Sequence, residues 1–237
     1  MADRGTLFDA WAERYEVDVR AVSEAEAFLF AGYDAVLAGL VALVWEAGAR
    51  RVLELGIGTG ALTARIAAAI PVVALWGVDF SGETLARARA RVPGAHLRQA
   101  DLDRDLPGLA LPRVDAVVAS YVPHELPDAR KAALIGHLVD ERLAPGGLLA
   151  IGDVAFADAV TRDAVTRDAV TRDAVTRDAV TRDAVRAATA DWDPTEHYLA
   201  ADAFLAGLRE QGIGGGFRPV SFCAGILTLR RDDRGRS

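Results

Sequence analysis

Cysteine is nearly missing from this 237-residue chain: Cys223 stands alone, so an intrachain disulfide is excluded and a reducing, cytoplasmic setting is expected. Lysine is as scarce. Lys131 is the only one, and every other basic side chain apart from the four histidines is arginine, a bias towards GC-rich codons that carries no functional reading. No uninterrupted apolar run reaches the roughly 20 residues that cross a bilayer, so no membrane contact is expected. The opening stretch "MADRGTLFDAW" holds no apolar core of signal-peptide length. Positive charge is also short, the formal net charge being -7. A duplex-binding protein presents a basic face, so nucleic acid is not an expected partner.

What is present is a globular balance of 51% hydrophobic and 26% charged residues, enough to bury one core. "LFDAWAERYEVDV" and "EAEAFLFAGYDAVLAGLVALVWEAG" carry apolar residues at three and four spacing and read as helices, with Gly48 as the stop. The period then changes. "RRVLEL", "PVVALWGVD", "AHLRQAD", "RVDAVVAS" and "PGGLLAIGDV" read as strands that alternate with the helices "ALTARIAAAI", "GETLARARARV" and "DARKAALIGHLVDERLA". Ser81 stands where it can cap the second of these helices. "GFRPVSF" and "GILTLRR" close the chain as an antiparallel hairpin. The expected fold is therefore α/β, a doubly wound, Rossmann-like, mostly parallel sheet of seven strands. One domain is expected over residues 1–237. It comprises an N-terminal helical cap (1–49), a cofactor-binding core (50–155), a helical insertion (156–199), and a C-terminal helix and hairpin (200–237).

The insertion is a tandem repeat. "DAVTR" occurs five times in succession between Asp158 and Arg182, without Gly or Pro. Each Asp stands four residues before an Arg, as in Asp163 and Arg167, the favourable order for a helical ion pair. The Ala-Val pairs advance by about 140° per repeat on a helix of 3.6 residues per turn, so they cannot form one apolar stripe. A pentapeptide solenoid needs small and large apolar residues alternating about a polar one, and here they are adjacent. A lid helix lengthened by duplication is the simpler expectation.

The chemistry is concentrated in "VLELGIGTGALTARIA". Gly56, Gly58 and Gly60 leave a strand and enter a helix, where a ligand can approach the main chain. Dinucleotide enzymes space the glycines as G-x-G-x-x-G. Here the spacing is G-x-G-x-G behind the acidic Glu54, which favours a cationic ligand over a pyrophosphate. Asp79 ends the second strand about twenty residues on, where a carboxylate can accept ribose hydroxyls. Asp101 ends the third, able to accept from a purine amino group, and Phe80 and Leu102 follow the two acids as walls for a base.

These segments, with "GVDFS", "QADL", "DAVVASYVPHEL" and "LAPGGLLAIGD", resemble the class I S-adenosylmethionine-dependent methyltransferases over roughly residues 50 to 155. The flanks "LFDAWAERYEVDV", "AGYDAVL", "DVAFAD" and "TEHYLAADAF" look like the YrrT-type bacterial branch, in which two adjacent histidines commonly follow the fourth strand; here they are His124 and Glu125. The resemblance implies a methyltransferase with S-adenosyl-L-methionine as cofactor and a small-molecule methyl acceptor. It implies that Gly56, Ile57, Gly58 and Gly60 hold the methionine part of the donor and Asp79 the ribose. Asp101 and Leu102 then hold the adenine, Ser120 and Tyr121 line the floor, and Glu54 orients the turn or the donor's amino group.

A sulfonium methyl is already activated, so the main task is to bring donor and acceptor into line. A general base matters only for an acceptor protonated at neutral pH. His124 is the candidate for that role, with Glu125 to orient it or to bind a cationic acceptor, and Tyr15, Tyr33, His197 and Tyr198 come from segments that would cover the cleft. Tyr33, His96, His137 and the four tryptophans read more simply as packing. Two other functions stay open on the sequence: a nicotinamide-dependent oxidoreductase, and a non-catalytic interaction protein that binds through its repeat. A monomer or a homodimer is compatible with the helical N-terminus.

Overall fold

The computed structural model describes residues 15–25, 29–172 and 196–231. Two helices precede the sheet, α1 over Tyr15–Glu24 and α2 over Tyr33–Glu46. The periodic run that begins at Glu24 is not one helix. The chain turns ahead of α2, with Leu29 at φ 80° and Gly32 at φ 76°. The turn lets Phe30 and Ala31 bury together, whereas a continuing helix would have sent them to different faces. α2 then lays Val36, Leu37, Leu40 and Val44 on the sheet at helical spacing.

Five parallel strands follow: β1 (Arg51–Leu55), β2 (Ala74–Asp79), β3 (His96–Gln99), β4 (Val114–Ser120) and β5 (Leu143–Phe156). They alternate with helices α3 (Ala61–Ala69), α4 (Gly82–Arg91) and α5 (Asp128–His137). β1 and β4 are covered on both faces, which is why consecutive rather than alternate residues are buried along them. The helix expected as far as Ala144 changes pitch after α5. Leu138–Arg142 form a wider π turn that buries both Leu138 and Val139.

β5 continues to Phe156, and helix α6 (Ala159–Arg172) carries the first repeats. Helix is thus what the described part of the insertion forms. Arg162 pairs with its neighbour Asp163 at 2.9 Å, while the side chain of Arg167 and residues 173–195 lie outside the described set. The chain returns through a short strand that the sequence did not announce, β6 (Leu199–Ala200), parallel to β5 through Ala155↔Leu199 and Phe156↔Ala200. Two residues are too few to show a period. Helix α7 (Ala201–Glu210) leads to the hairpin β7 (Ile213–Pro219) and β8 (Ala224–Arg231). β7 begins earlier than expected, at Ile213, and Val220 to Cys223 make the turn. The strand order is β3-β2-β1-β4-β5-β8-β7, with β8 antiparallel to both neighbours and β6 off that path.

Apolar layers cover both faces. Val36, Leu40, Leu62 and Ile66 belong to one, Ile135, Leu138, Leu205 and Leu208 to the other. Among the described residues no helix is long and apolar enough to cross a membrane. The parallel order sends the carboxyl ends of β1 to β5 to a single edge of the sheet, where ligands of open α/β sheets bind.

Candidate functional site

At that edge β1 runs into the glycine turn. Gly56, Gly58 and Gly60 take φ of 59°, 54° and 82°, a left-handed region costly for other residues. A Cβ on Gly56 would strike Val122, whereas one on Gly58 would meet nothing within 4 Å. The main chain at Gly58 therefore faces open ground, as contact with a ligand requires. Ile57 offers only its backbone there, because its side chain packs with Leu85, Ala88 and Leu97.

Glu54 lies behind the turn, 2% exposed, and accepts a short hydrogen bond from the Thr63 hydroxyl on α3. It therefore ties the turn to its helix. Burial, reinforced by the nearby Asp79 charge and opposed by the Thr63 bond, pushes its carboxyl up to about 8. Asp79 is the hub of the turn. Its Oδ2 accepts the Gly58 N–H at 2.8 Å, and its Oδ1 accepts the Ser81 N–H at 2.9 Å and the Thr84 hydroxyl at 3.0 Å. Burial raises its value despite these donors. Ser81 also caps α4, its Oγ accepting from Thr84 N at 3.2 Å.

Asp101 is more open: its Oδ1 accepts the Asp103 N–H at 2.8 Å, and Arg104 stands 3.6 Å from Oδ2. Phe80 and Leu102 flank the two acids half-buried, and the Phe80 carbonyl is fixed by Gln99 Nε2 at 2.9 Å. Ser120 ends β4 half-buried, and Tyr121 follows at φ 54°, its N–H bonded to the Gly152 carbonyl at 2.9 Å. The Tyr121 ring lies 5.2 Å from Phe30 and 5.3 Å from Tyr33, so the turn ahead of α2 supplies aromatic cover for the β4 end.

His124 sits in a 3-10 turn, Pro123–Glu125, after β4. Its partner is a residue the sequence reading missed. Asp153 of β5 accepts the His124 main-chain N–H at 2.8 Å on Oδ2 and the ring Nδ1 at 2.6 Å on Oδ1. Asp153 thus orients the imidazole, and the Glu125 charge acts on the same ring. Burial alone would lower the imidazole's value, but the Asp153 carboxylate, helped by Glu196 and Glu125, outweighs it and raises His124 to about 9. The clue was an Asp inside the apolar run "LLAIGDVAF". Its partner follows from the β4–β5 register, which sets Ser120 beside Gly152.

The segment after the insertion closes over this pair. His197 N–H donates to the His124 carbonyl at 2.7 Å, and the Tyr198 ring lies 6.4 Å from the imidazole. Tyr198 OH donates to Glu196 at 2.5 Å. Tyr15 opens α1, and its side chain is outside the described set. The residues read as packing divide. His96 stacks on Trp76 with ring centroids 5.4 Å apart, whereas Trp45 is 62% exposed, and Trp11 and Trp192 fall outside the described residues. No group of three metal-binding side chains occurs among the described residues.

Comparisons with known proteins agree with this layout. A family model for the methyltransferase domain matches residues 52–147. An uncharacterised methyltransferase of Geobacillus kaustophilus is 32% identical over 151 residues, 63% of this chain and 66% of that one. A trans-aconitate 2-methyltransferase of Methylobacterium nodulans is 40% identical over 114 residues, 48% of this chain and 42% of its own. The chain thus spans just under two thirds of the length of the first relative and under half of the second. In fold, it is similar to magnesium protoporphyrin IX methyltransferase from Synechocystis, solved with bound S-adenosylhomocysteine. The TM-score is 0.65 at 15% identity, covering 97% of this chain and 100% of that one. Residues 52–147 thus match a methyltransferase domain, and the fold around them is similar to that of a solved methyltransferase.

Proposed function

We propose that the protein transfers the methyl group of S-adenosylmethionine in line to a small-molecule acceptor. The observation that carries this reading is the convergence of the β1 turn, Asp79, Asp101 and the His124–Asp153 pair on one edge of the sheet. When bound, the donor supplies a methyl on a sulfonium sulfur, with a neutral thioether as the leaving group. The open face at Gly58 and the acids Asp79 and Asp101 at successive strand ends fit such a group. The main chain from Gly56 to Gly60 holds its methionine part. Asp79 Oδ2, which accepts the Gly58 N–H, stands where it can also accept a ribose hydroxyl. Asp101 and Leu102 hold the adenine against Phe80, while Ser120 and Tyr121 form the floor.

His124 serves an acceptor that must lose a proton. With Nδ1 held by Asp153, Nε2 is the ring nitrogen left for it, and no described residue bonds to that atom. The ring must be neutral to accept the proton, so its raised value makes it a base that strengthens towards pH 9. A small acceptor suits the acidic net charge of -7, which repels nucleic acid. The Methylobacterium relative also takes its name from a small organic acid.

Calorimetric titration with S-adenosylmethionine, S-adenosylhomocysteine and NAD tests the donor. Micromolar binding of the first two and no heat from NAD is expected. Heat from NAD alone would replace the reading with a nicotinamide enzyme.

A further inference from the structure

The single lysine is not on the surface. Lys131 lies one turn into α5 and is 3% exposed. Its ammonium donates to Asp128 Oδ1 at 2.9 Å and, by a short bond, to the His197 carbonyl. The same peptide unit's neighbour, the His197 N–H, bonds the His124 carbonyl, and Leu199 and Ala200 then zip onto β5. Lys131 also lines a largely apolar cavity with Leu134, Ile135, Leu138 and Phe204, into which Asp153 faces as well. Lys131, Asp128 and His197 thus connect α5 to the strap over the site, across 66 residues of sequence.

We infer that Lys131 is a positioning residue that holds the His197 strap against His124 and so keeps the imidazole on Asp153. The inference rests on the proposed role of His124. His124 is fixed at three atoms: N and Nδ1 by Asp153, and O by His197. Only the third belongs to a segment that another side chain must anchor. An ammonium suits this place because its three donors radiate from one compact atom, reaching a carboxylate in the same helix and a carbonyl in the strap. A planar guanidinium presents its donors in a flat fork and does not reproduce that geometry. The groups that face His124 are Asp153 from β5, Glu125 from its own turn, and Glu196 and Tyr198 from the strap. Of these, only the strap pair depends on Lys131.

The test is the ring titration of His124, followed by NMR from pH 5 to 10 in the full chain and in Lys131→Met, whose side chain matches the apolar stem up to Cε and lacks the ammonium. In the native chain the midpoint is expected near 9. In the variant it should fall by at least one pH unit, towards the free imidazole value of about 6.5, as strap and carboxylate loosen. Loss of a positive charge alone would move it upward, so a midpoint unmoved or raised overturns the inference. Donor affinity, read by calorimetry on the same sample, should stay within about twofold, because the glycine turn is on other strands. A native chain that binds no donor refutes the proposed function while leaving the titration to decide on Lys131. Should Lys131→Met not fold, amide exchange in the native chain decides. Protection of the His197 N–H equal to that of β5 supports the strap, and exchange at open-loop rates overturns it.

Discussion

At the scale of single residues, the glycine turn separates fold from function. Gly58→Ala carries a left-handed strain of about 1–2 kcal/mol and projects its methyl into open space. It should melt a few degrees lower and lose donor binding. Gly56→Ala carries the same strain and also drives its methyl to 2.2 Å from Val122 Cγ2, so it should be the less stable of the two by about 1–3 kcal/mol. Thermal melts and calorimetry on the two variants check the contrast. Asp79→Ala leaves the Gly58 and Ser81 N–H groups and the Thr84 hydroxyl without their acceptor. At about 2–3 kcal/mol for the lost network, donor affinity should fall roughly 30- to 150-fold. Much of this was legible in the sequence, because a glycine turn and acids that end strands are local signals. Asp153 was not, since its meaning depends on the register of β5 against β4. Lys131 was not either: its partner carbonyl is brought to it only by the return of a distant segment.

Elements tell a similar story at longer range. The alternation of strands and helices from β1 to β5 was visible because each element carries its own period, and Ser81 announced the start of α4. Its removal isolates a helix-level effect: Ser81→Ala deletes the Oγ that accepts from Thr84 N but keeps the N–H that binds Asp79. The cost should be about 1 kcal/mol, a drop of roughly 2–4 °C in melting temperature for a chain of this size. Donor affinity should change less than twofold in the same samples; a tenfold loss would mean that the cap, too, shapes the turn. The breaks in helical pattern were less visible. A left-handed Leu29 has no signature in composition, and the π turn after α5 preserves an apolar pattern that a regular helix also satisfies. In both places tertiary burial outweighed local propensity.

For the molecule as a whole, two buried groups make stability depend on pH in the same direction. His124 has its value raised in the folded state from 6.5 to about 9. Its contribution is complete below pH 6.5 and is lost as pH rises through 9, on the order of 3 kcal/mol. Glu54 is raised from 4.5 to about 8, so the fold favours its neutral form, and that advantage is complete below 4.5 and fades as pH rises through 8. Melting temperature should therefore decline steadily from pH 6 to pH 9. A maximum near pH 9 would contradict both assignments. A different consequence follows from the two-residue ladder between β5 and β6. It brings the departure and return points of the repeat excursion side by side, at Phe156 and Ala200. The excursion thus leaves and rejoins the sheet at neighbouring points, and doubling a flexible loop costs only about 0.6 kcal/mol. Excising or adding one five-residue unit should leave donor affinity unchanged and shift melting by less than about 2 °C. Copy number in this segment is thereby free to drift, because the paired Phe156 and Ala200 stay side by side whatever length of chain runs between them.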